Sequence, residues 1–543
     1  MLREAYRIQN ASVAANAYTD DAIIEYAYGS DRTRHVGRED IEASFSDFFS
    51  QIGTQEQIDL NFRIESSAPE GENLRDRGVY RLRFASGAAS YGYFEVERVI
   101  QNGASAMFTF DRATDATRDA FEALPGPVLF DADSEQLDPA YYRRLTGRYQ
   151  RPDGCDIIVT QSAYRLFVRD GCTEVWQGLN RVSGLEWTGG ETVLSSNVTT
   201  TFKFDEPTTS DSQTLTMTQN GQTVSAKRNT AYTKDEISFQ SSDDTSLSGL
   251  IYRPVEPSTK ASVVLIHGSG PQDRNGYASI IAVIADEFAA NGHAVIVFDK
   301  RGTGSSEGDW SRAGFDRLAE DVIAAEKALL ADEALSDRPV IYAGSSQAGW
   351  VAATAIERGG QAKQIVLLGA AGAAISVREQ NIYNTRIRMG CSGIDETSID
   401  LALRQQNAFF DFVANPAMSD TLQAVTEQAS ADETIRDWLF PDAESVDLDG
   451  DNWFTTLSLE FDPITVWADY LGQMTFIFSE HDDSTPTDRA ISRLKDTIGE
   501  DNLQTVLLDG AQHLGLLASG PCDASLSTVS RFHPDLFRAL TDD

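Results

Sequence analysis

The stretch Pro339-Val340-Ile341-Tyr342-Ala343-Gly344-Ser345-Ser346-Gln347-Ala348-Gly349-Trp350 decides how the chain is read. An apolar run enters a glycine, and a stretch of small residues, Val351 to Ile356, follows. That order describes a buried strand that bends sharply into a helix. The bend is so tight that the residues two places either side of its tip must be small, and Gly344 and Ala348 meet that demand around Ser346. A methyl at Ala348, where glycine is commoner, still fits. The hydroxyl of Ser346 is pushed out above the strand, and the N-terminus of the next helix favours negative charge beside it. Ser346 is therefore the candidate nucleophile. A second match, Gly304-Ser305-Ser306-Glu307-Gly308, is separated from its apolar run by Asp299-Lys300-Arg301-Gly302-Thr303, and no helix of small residues follows it. Ser306 is expected in a loop.

Outward from this segment, strand and helix alternate from about residue 235. Apolar strands are expected at 262–266, 294–298, 339–343, 364–368, 474–478 and 503–508. A helix is expected over 313–331, where Phe315, Leu318, Val322 and Ala325 recur at helical spacing. Continuous apolar strands between helices predict a mostly parallel sheet covered on both faces, an α/β domain spanning 235–543. Between 373 and 465 the rhythm gives way to a largely helical insert, expected to form a lid.

The turn His267-Gly268-Ser269-Gly270-Pro271 ends the first of these strands and frees backbone N–H groups for an oxyanion. The donors are assigned as the N–H groups of Ser269 and Gln347, which makes His267 a turn residue. If the chain order is Ser…Asp…His, the base comes late. Of the six histidines, His35 lies outside the domain, and His267 and His293 precede the serine. His533 is expected in a terminal helix. His513, directly after the last strand, is left as the base. The acid is sought after the preceding strand, in Ser479-Glu480-His481-Asp482-Asp483-Ser484-Thr485-Pro486, where Glu480, Asp482 and Asp483 are all candidates. His481 is expected to face solvent.

Together with Asp299-Lys300-Arg301-Gly302-Thr303-Gly304, these pieces resemble the α/β-hydrolase superfamily, in its esterase branch near the dienelactone-hydrolase and prolyl-oligopeptidase families. The resemblance covers roughly 300 residues. It implies a Ser346, His513, Asp482 triad without metal or cofactor. Its Gly-Glu-x-Asp-x-x-x-Pro pattern puts Asp482 in the acid position, with Ser479 where glycine is usual. The implied activity is hydrolysis of a small-molecule carboxylic ester through an acyl-enzyme, with a serine peptidase as the alternative. Related oligopeptidases carry a β-propeller of repeated blades ahead of the catalytic domain, and no blade repeat stands here.

Residues 1–125 read as an α+β unit. A helix is expected near 2–18, and another follows Gly37-Arg38-Glu39-Asp40-Ile41 through Phe45, Phe48 and Phe49. Strands are expected at Gly78–Phe84, Tyr91–Val99 and Ala106–Asp111, the last two joined by a turn at Asn102-Gly103. Tyr18-Thr19-Asp20-Asp21-Ala22 is expected as a helix end. With Gly37-Arg38-Glu39-Asp40-Ile41 it resembles the nuclear-transport-factor-2-like (NTF2-like) superfamily, a resemblance that implies a homodimer through the N-terminal domains. A linker is expected at 126–135, by Pro125-Gly126-Pro127. Residues 136–232 read as a small all-β barrel or sandwich, and Leu145-Thr146-Gly147-Arg148-Tyr149 is similar to the opening of lipocalin-like accessory domains.

Acidic residues number 83 against 45 basic, a net charge of −38, which excludes nucleic acid and anionic membranes as partners. No apolar run reaches the roughly 18–20 residues needed to cross a bilayer. Met1 leads straight into a polar helical pattern. The chain is therefore expected to be cytoplasmic, or periplasmic or secreted if a leader has been removed. The four cysteines, Cys155, Cys172, Cys391 and Cys522, lack zinc spacing. Cys155 and Cys172 flank an expected hairpin, so either a disulfide or idle thiols fit the sequence.

Overall fold

Eight strands form the sheet of the C-terminal half: β1 Tyr232–Gln240, β2 Ser246–Pro254, β3 Ser262–Ile266, β4 Ala294–Phe298, β5 Val340–Ser345, β6 Gln364–Leu368, β7 Gln473–Ser479 and β8 Leu503–Leu508. In this computed structural model they run in the order β1-β2-β4-β3-β5-β6-β7-β8. The pairs β1-β2 and β2-β4 are antiparallel and the rest parallel. Strands β3, β4 and β5 are buried along their whole length, so they read as unbroken apolar runs and not as alternation. The structure describes residues 2–7, 9–28, 31–52, 58–70, 73–84, 89–100, 106–117, 120–121, 123–124, 143–162, 165–183, 185–193, 198–205, 213–370, 373–443, 446, 448, 458–499, 501–523, 526 and 528–541. The turn at Asn102-Gly103 and the linker 126–135 lie outside them.

Helices α1 Ile280–Ala290, α2 Phe315–Leu330 and α3 Ala348–Glu357 follow β3, β4 and β5. The strand pleat sends alternate side chains to opposite faces. Val263 and Leu265 join the cluster that holds Ile281, Ile284 and Phe288 of α1, whereas Val264 and Ile266 join Leu318 and Val322 of α2 and Val351 of α3. Both faces are thus covered. The insert between β6 and β7 holds α4 Val377–Cys391, α5 Glu396–Ala414, α6 Ser419–Ser430 and, at its end, α7 Ile464–Asp469. After β7 come α8 Thr487–Thr497 and the terminal α9 Leu536–Thr541. Register aligns the strand ends: Ile266 pairs with Gly344, Ser345 with Leu368, and Ser479 with Leu508. The carboxyl ends of these strands share one edge, where ligands bind in open α/β sheets.

The N-terminal unit departs from its expected pattern at the start. Instead of one helix near 2–18, two short helices, Leu2–Arg7 and Ala11–Ala15, are broken at Gln9, whose φ is 50°. Tyr18 to Asp21 open a strand, Tyr18–Tyr28, and do not end a helix. That strand pairs in parallel with the distant Ala106–Asp115, so long-range pairing overrides the local helical pattern. The helix Arg38–Ile52 carries Phe45 and Phe49 into the core against a six-stranded sheet.

The middle unit is a nine-stranded antiparallel sheet running from Gly147–Gln150 to Gln222–Asn229. It docks on α1. Arg148 donates to Asp286 at 2.7 Å, to Glu287 at 2.8 Å and to Asp156 at 2.7 Å, and Tyr232 donates to the other oxygen of Asp286. Trp176 packs against Phe532 with ring centroids 4.9 Å apart and the planes tilted by 35°, and its backbone N–H donates to Ser530 O at 2.7 Å. All four cysteines are paired, Cys155 with Cys172 and Cys391 with Cys522. The second bridge ties the end of α4 to the loop after residue 513. No helix among the described residues is long and apolar enough to cross a membrane.

Asp286 is 2% exposed, and Arg148 supplies its main cationic partner. Removing one partner of a buried pair strands the other charge, at a cost of about 3–5 kcal/mol. Arg148→Met in the full chain is therefore expected to lower unfolding free energy by that amount in urea titration. A surface-like change, under about 1 kcal/mol, would show that water reaches the pair.

Candidate active site

Ser346 stands at the tip of the turn between β5 and α3 with φ 57°, a left-handed backbone that a side-chain-bearing residue adopts only under constraint. The constraint is visible at Gly344, where an added Cβ would lie 2.4 Å from Ile266 O and 2.6 Å from the Cβ of Ala348. Strand and helix approach so closely that one position must lack a side chain, and the other tolerates only a methyl. The Ser346 N–H donates to Leu368 O at 3.0 Å, which pins the tip across to β6.

Ser306, the second Gly-x-Ser-x-Gly serine, is buried. Its Oγ donates to Asp299 O at 2.7 Å and accepts from the Ser248 N–H at 2.9 Å. Both its donor and an acceptor site are occupied by structure.

Of the three acid candidates, Asp482 meets the ring of His513, with both carboxylate oxygens 2.9 Å from Nδ1. The N–H groups of Ser484 and Thr485 each donate to Asp482 Oδ1 at 2.8 Å, which fixes the carboxylate. Asp483 turns instead to Arg388 at 3.1 Å, and Glu480 accepts from the Gly510 N–H at 2.7 Å. His481 is half-buried, with its backbone N–H donating to Ala511 O. His533 precedes α9 and is not in it; its Nδ1 accepts from the Asp535 N–H at 3.1 Å.

Burial works against a charged His513, but the carboxylates of Asp482 and Asp483 outweigh it and hold the imidazole above its ordinary pKa, with Arg388 acting the other way. His267 goes the opposite way, pushed down to about 3 by burial and by the nearby Lys300. Its Nε2 lies 2.6 Å from Phe298 O. His267 is a neutral structural ring.

His513 reaches the serine side through Gly369, where an added Cβ would lie 2.3 Å from His513 O and 3.2 Å from Nδ1. Gly369 follows Leu368, the residue that accepts from Ser346. No hydrogen bond joins Ser346 Oγ to the imidazole here; such contacts often tighten only when a ligand is bound. At Gly268 an added Cβ would lie 3.6 Å from the Cβ of Ser346, so the turn after β3 abuts the serine. The N–H groups of Ser269 and Gln347 donate to no protein acceptor among the described residues.

Four contributors were not legible in the sequence. Tyr383 donates to Asp482 O at 2.9 Å, Asn384 to Asp483 O at 2.9 Å, and Arg388 to the Asp483 carboxylate, so one face of α4 grips the acid loop. Lys300 is 4% exposed, and burial pushes its amine down to about 7. The only sequence signal was a charged triplet, Asp299-Lys300-Arg301, ending an apolar strand. Among the described residues no group of three or more His, Cys, Asp or Glu side chains is arranged to hold a metal ion.

Residues 263–524 match the model of the alpha/beta hydrolase family. Among solved structures the chain is similar to an esterase of Pyrococcus furiosus, at 14% identity and a TM-score of 0.34, over 52% of this chain and 84% of that one. It is similar to an esterase of a Rhodococcus species, at 16% identity and a TM-score of 0.31, over 54% and 94%. It is also similar to a proline iminopeptidase of Mycobacterium smegmatis, at 15% identity and a TM-score of 0.34, over 52% and 92%. No curated protein matches the chain.

Two outcomes follow from this geometry. Gly344→Ala forces strand and helix apart, so a loss of about 1–3 kcal/mol of stability is expected, read by chemical denaturation. The His513 ring, followed by NMR titration, is expected to titrate at lower pH in Asp483→Asn, which removes a group favouring the cation. It is expected to titrate at higher pH in Arg388→Gln, which removes a group opposing it. An unchanged titration in both variants would mean that neither charge acts on the ring.

Proposed function

The C-terminal region of the chain belongs to the α/β-hydrolase superfamily, and we propose on that footing that the protein is a serine hydrolase cleaving carboxylic esters. The observation that carries the reading is the pairing of a left-handed Ser346 at a strand-to-helix tip with a His513 ring held at Nδ1 by Asp482. In this reading the Nδ1 proton is committed to Asp482, which leaves Nε2 as the base.

His513 takes the Ser346 proton as Oγ adds to the ester carbonyl. The carbonyl oxygen gains negative charge, held by the Ser269 and Gln347 N–H groups. Collapse of the tetrahedral adduct breaks the C–O bond; the alkoxide leaves with the proton from His513, and the acyl group stays on Ser346. Water, deprotonated by His513, adds to the acyl-enzyme. Collapse of that adduct releases the acid and returns the proton to Ser346. Asp482 stabilises the imidazolium in both halves. The helical insert between β6 and β7 acts as the lid that encloses the acyl group. The compatibility of a raised His513 pKa with base catalysis has a defined sign: only the neutral ring accepts a proton, so turnover falls as pH drops through that raised value.

Turnover of p-nitrophenyl acyl esters against aminoacyl and peptidyl p-nitroanilides tests the ester assignment. Ester turnover is expected to dominate, and efficient anilide cleavage with poor ester turnover would turn the reading to a peptidase. Ser346→Ala is expected to abolish fluorophosphonate labelling and to lower kcat on the order of 10⁴–10⁶-fold. Asp482→Asn is expected to lower it by roughly 10⁴. Ser306→Ala should keep its turnover. An active Ser346→Ala would sink the mechanism.

A further inference from the structure

Lys300 sits at the carboxyl end of β4, buried, with no carboxylate at ion-pairing distance among the described residues. An uncompensated buried ammonium is costly. Here it is solvated by protein dipoles: Nζ donates to Gly268 O at 2.6 Å, to Gly270 O at 2.9 Å and to Gln347 Oε1 at 3.3 Å. In the protonated form, populated below its lowered pKa of about 7, the ammonium has three N–H donors, and all three are used.

The choice of acceptors is informative. Gly268 O and Ser269 N belong to one peptide group, and a trans peptide points its C=O and N–H in opposite directions. Binding the carbonyl to Lys300 therefore turns the Ser269 N–H to the other side of a loop whose Gly268 abuts Ser346. The cation also polarises that peptide, which makes its N–H a stronger donor. Gln347, the third acceptor, is the residue after Ser346, and its own N–H is the second donor of the reading above. The neighbouring residue completes the arrangement: Asp299 accepts from the Arg274 backbone N–H at 2.8 Å and from its guanidinium, so the 268–274 loop is held at both ends from the end of β4. Thr303 Oγ1 donates to Gln272 O at 2.9 Å between these ties.

We infer that Lys300 is a positioning residue that orients and polarises both halves of the oxyanion hole from behind, through Gly268 O and the Gln347 side chain; the inference rests on the acyl-transfer reading of Ser346. A group acting in this way stabilises the charged adduct and not the ground-state ester, so its loss falls on kcat and spares KM. Lysine suits the place because its three donors diverge and can serve three separate acceptors.

The test uses the full chain with Lys300→Met and Lys300→Gln, assayed on a p-nitrophenyl ester and with a trifluoromethyl ketone, which binds serine hydrolases as a tetrahedral oxyanion. For folded Lys300→Met, kcat is expected to fall about 10²–10³-fold, the effect of losing one oxyanion donor. KM should change little, and trifluoromethyl ketone affinity should fall by a similar factor to kcat. Lys300→Gln, which keeps two N–H donors without charge, should fall between. A folded Lys300→Met with near-parental kcat overturns the inference, as does lost turnover with unchanged trifluoromethyl ketone affinity. If Lys300→Met does not fold, Lys300→Gln is read by the same two criteria; if neither folds, Lys300 is a structural tie and the inference fails. Ser346→Ala in the same assays separates the two readings, because its inactivity upholds acyl transfer whatever Lys300 does.

Discussion

The close approach of Ile266 to Gly344, where no Cβ can fit, is the constraint on which the rest of the site depends. It sets how sharply β5 turns into α3 and so lifts Ser346 into a left-handed conformation. The same contact lies across the β3–β5 pair, so it fixes the height of the turn after β3 relative to the serine. The strain at one residue is held because the sheet on either side is buried and in register. Every other group then has a fixed reference. Leu368 receives the serine N–H, Gly369 leaves room for His513, and the 268–274 loop reaches the elbow from the opposite flank.

Around that rigid centre, charge is handled by pairing carboxylates with different jobs. Asp482 and Asp483 are adjacent, yet one faces the imidazole and the other an arginine of the insert. Backbone N–H groups of Ser484 and Thr485 make the difference by holding Asp482 in place. Asp299 and Asp321 pair with Arg274 and Arg301 in the same manner, and Lys300 between them is left to the carbonyls. Asp299 and Lys300 thus hold the 268–274 loop at its two ends, while Arg301 turns away to Asp321 of α2 and to Asp243.

How much of this the sequence revealed follows from the range of the interactions. Strands β3 to β5 were legible because full burial writes an unbroken apolar run, and the elbow was legible because its sterics act within four residues, Gly344 to Ala348. The start of the chain is not legible locally, because Gln9 breaks the helical pattern and Tyr18–Tyr28 finds its partner some ninety positions away, at Ala106–Asp115. The roles of Lys300, Gly369 and Arg388 are not legible for the same reason: each acts on residues between 30 and 144 positions distant, and the charged triplet around Lys300 does not say where its amine goes. In the sequence only the spacing of the resembled family pattern separates Asp482 from Glu480 and Asp483, whereas in the structure backbone hydrogen bonds from Ser484 and Thr485 distinguish it. The short motifs behind the NTF2-like and lipocalin-like resemblances carry no side chain into this site.

The bridge between Cys391 and Cys522 closes a ring of chain that contains Asp482 and His513 but not Ser346. Peptide-bond cleavage anywhere between those cysteines leaves the two pieces joined covalently. A protease that nicks an exposed turn of the insert, such as Ser392-Gly393 beyond the end of α4, therefore does not release the piece bearing acid and base from the piece bearing the serine. Survival of a cut chain as one unit would end only where a reductant reaches the sulfurs, so resistance to proteolytic dismantling in this protein is set by the redox state of its surroundings.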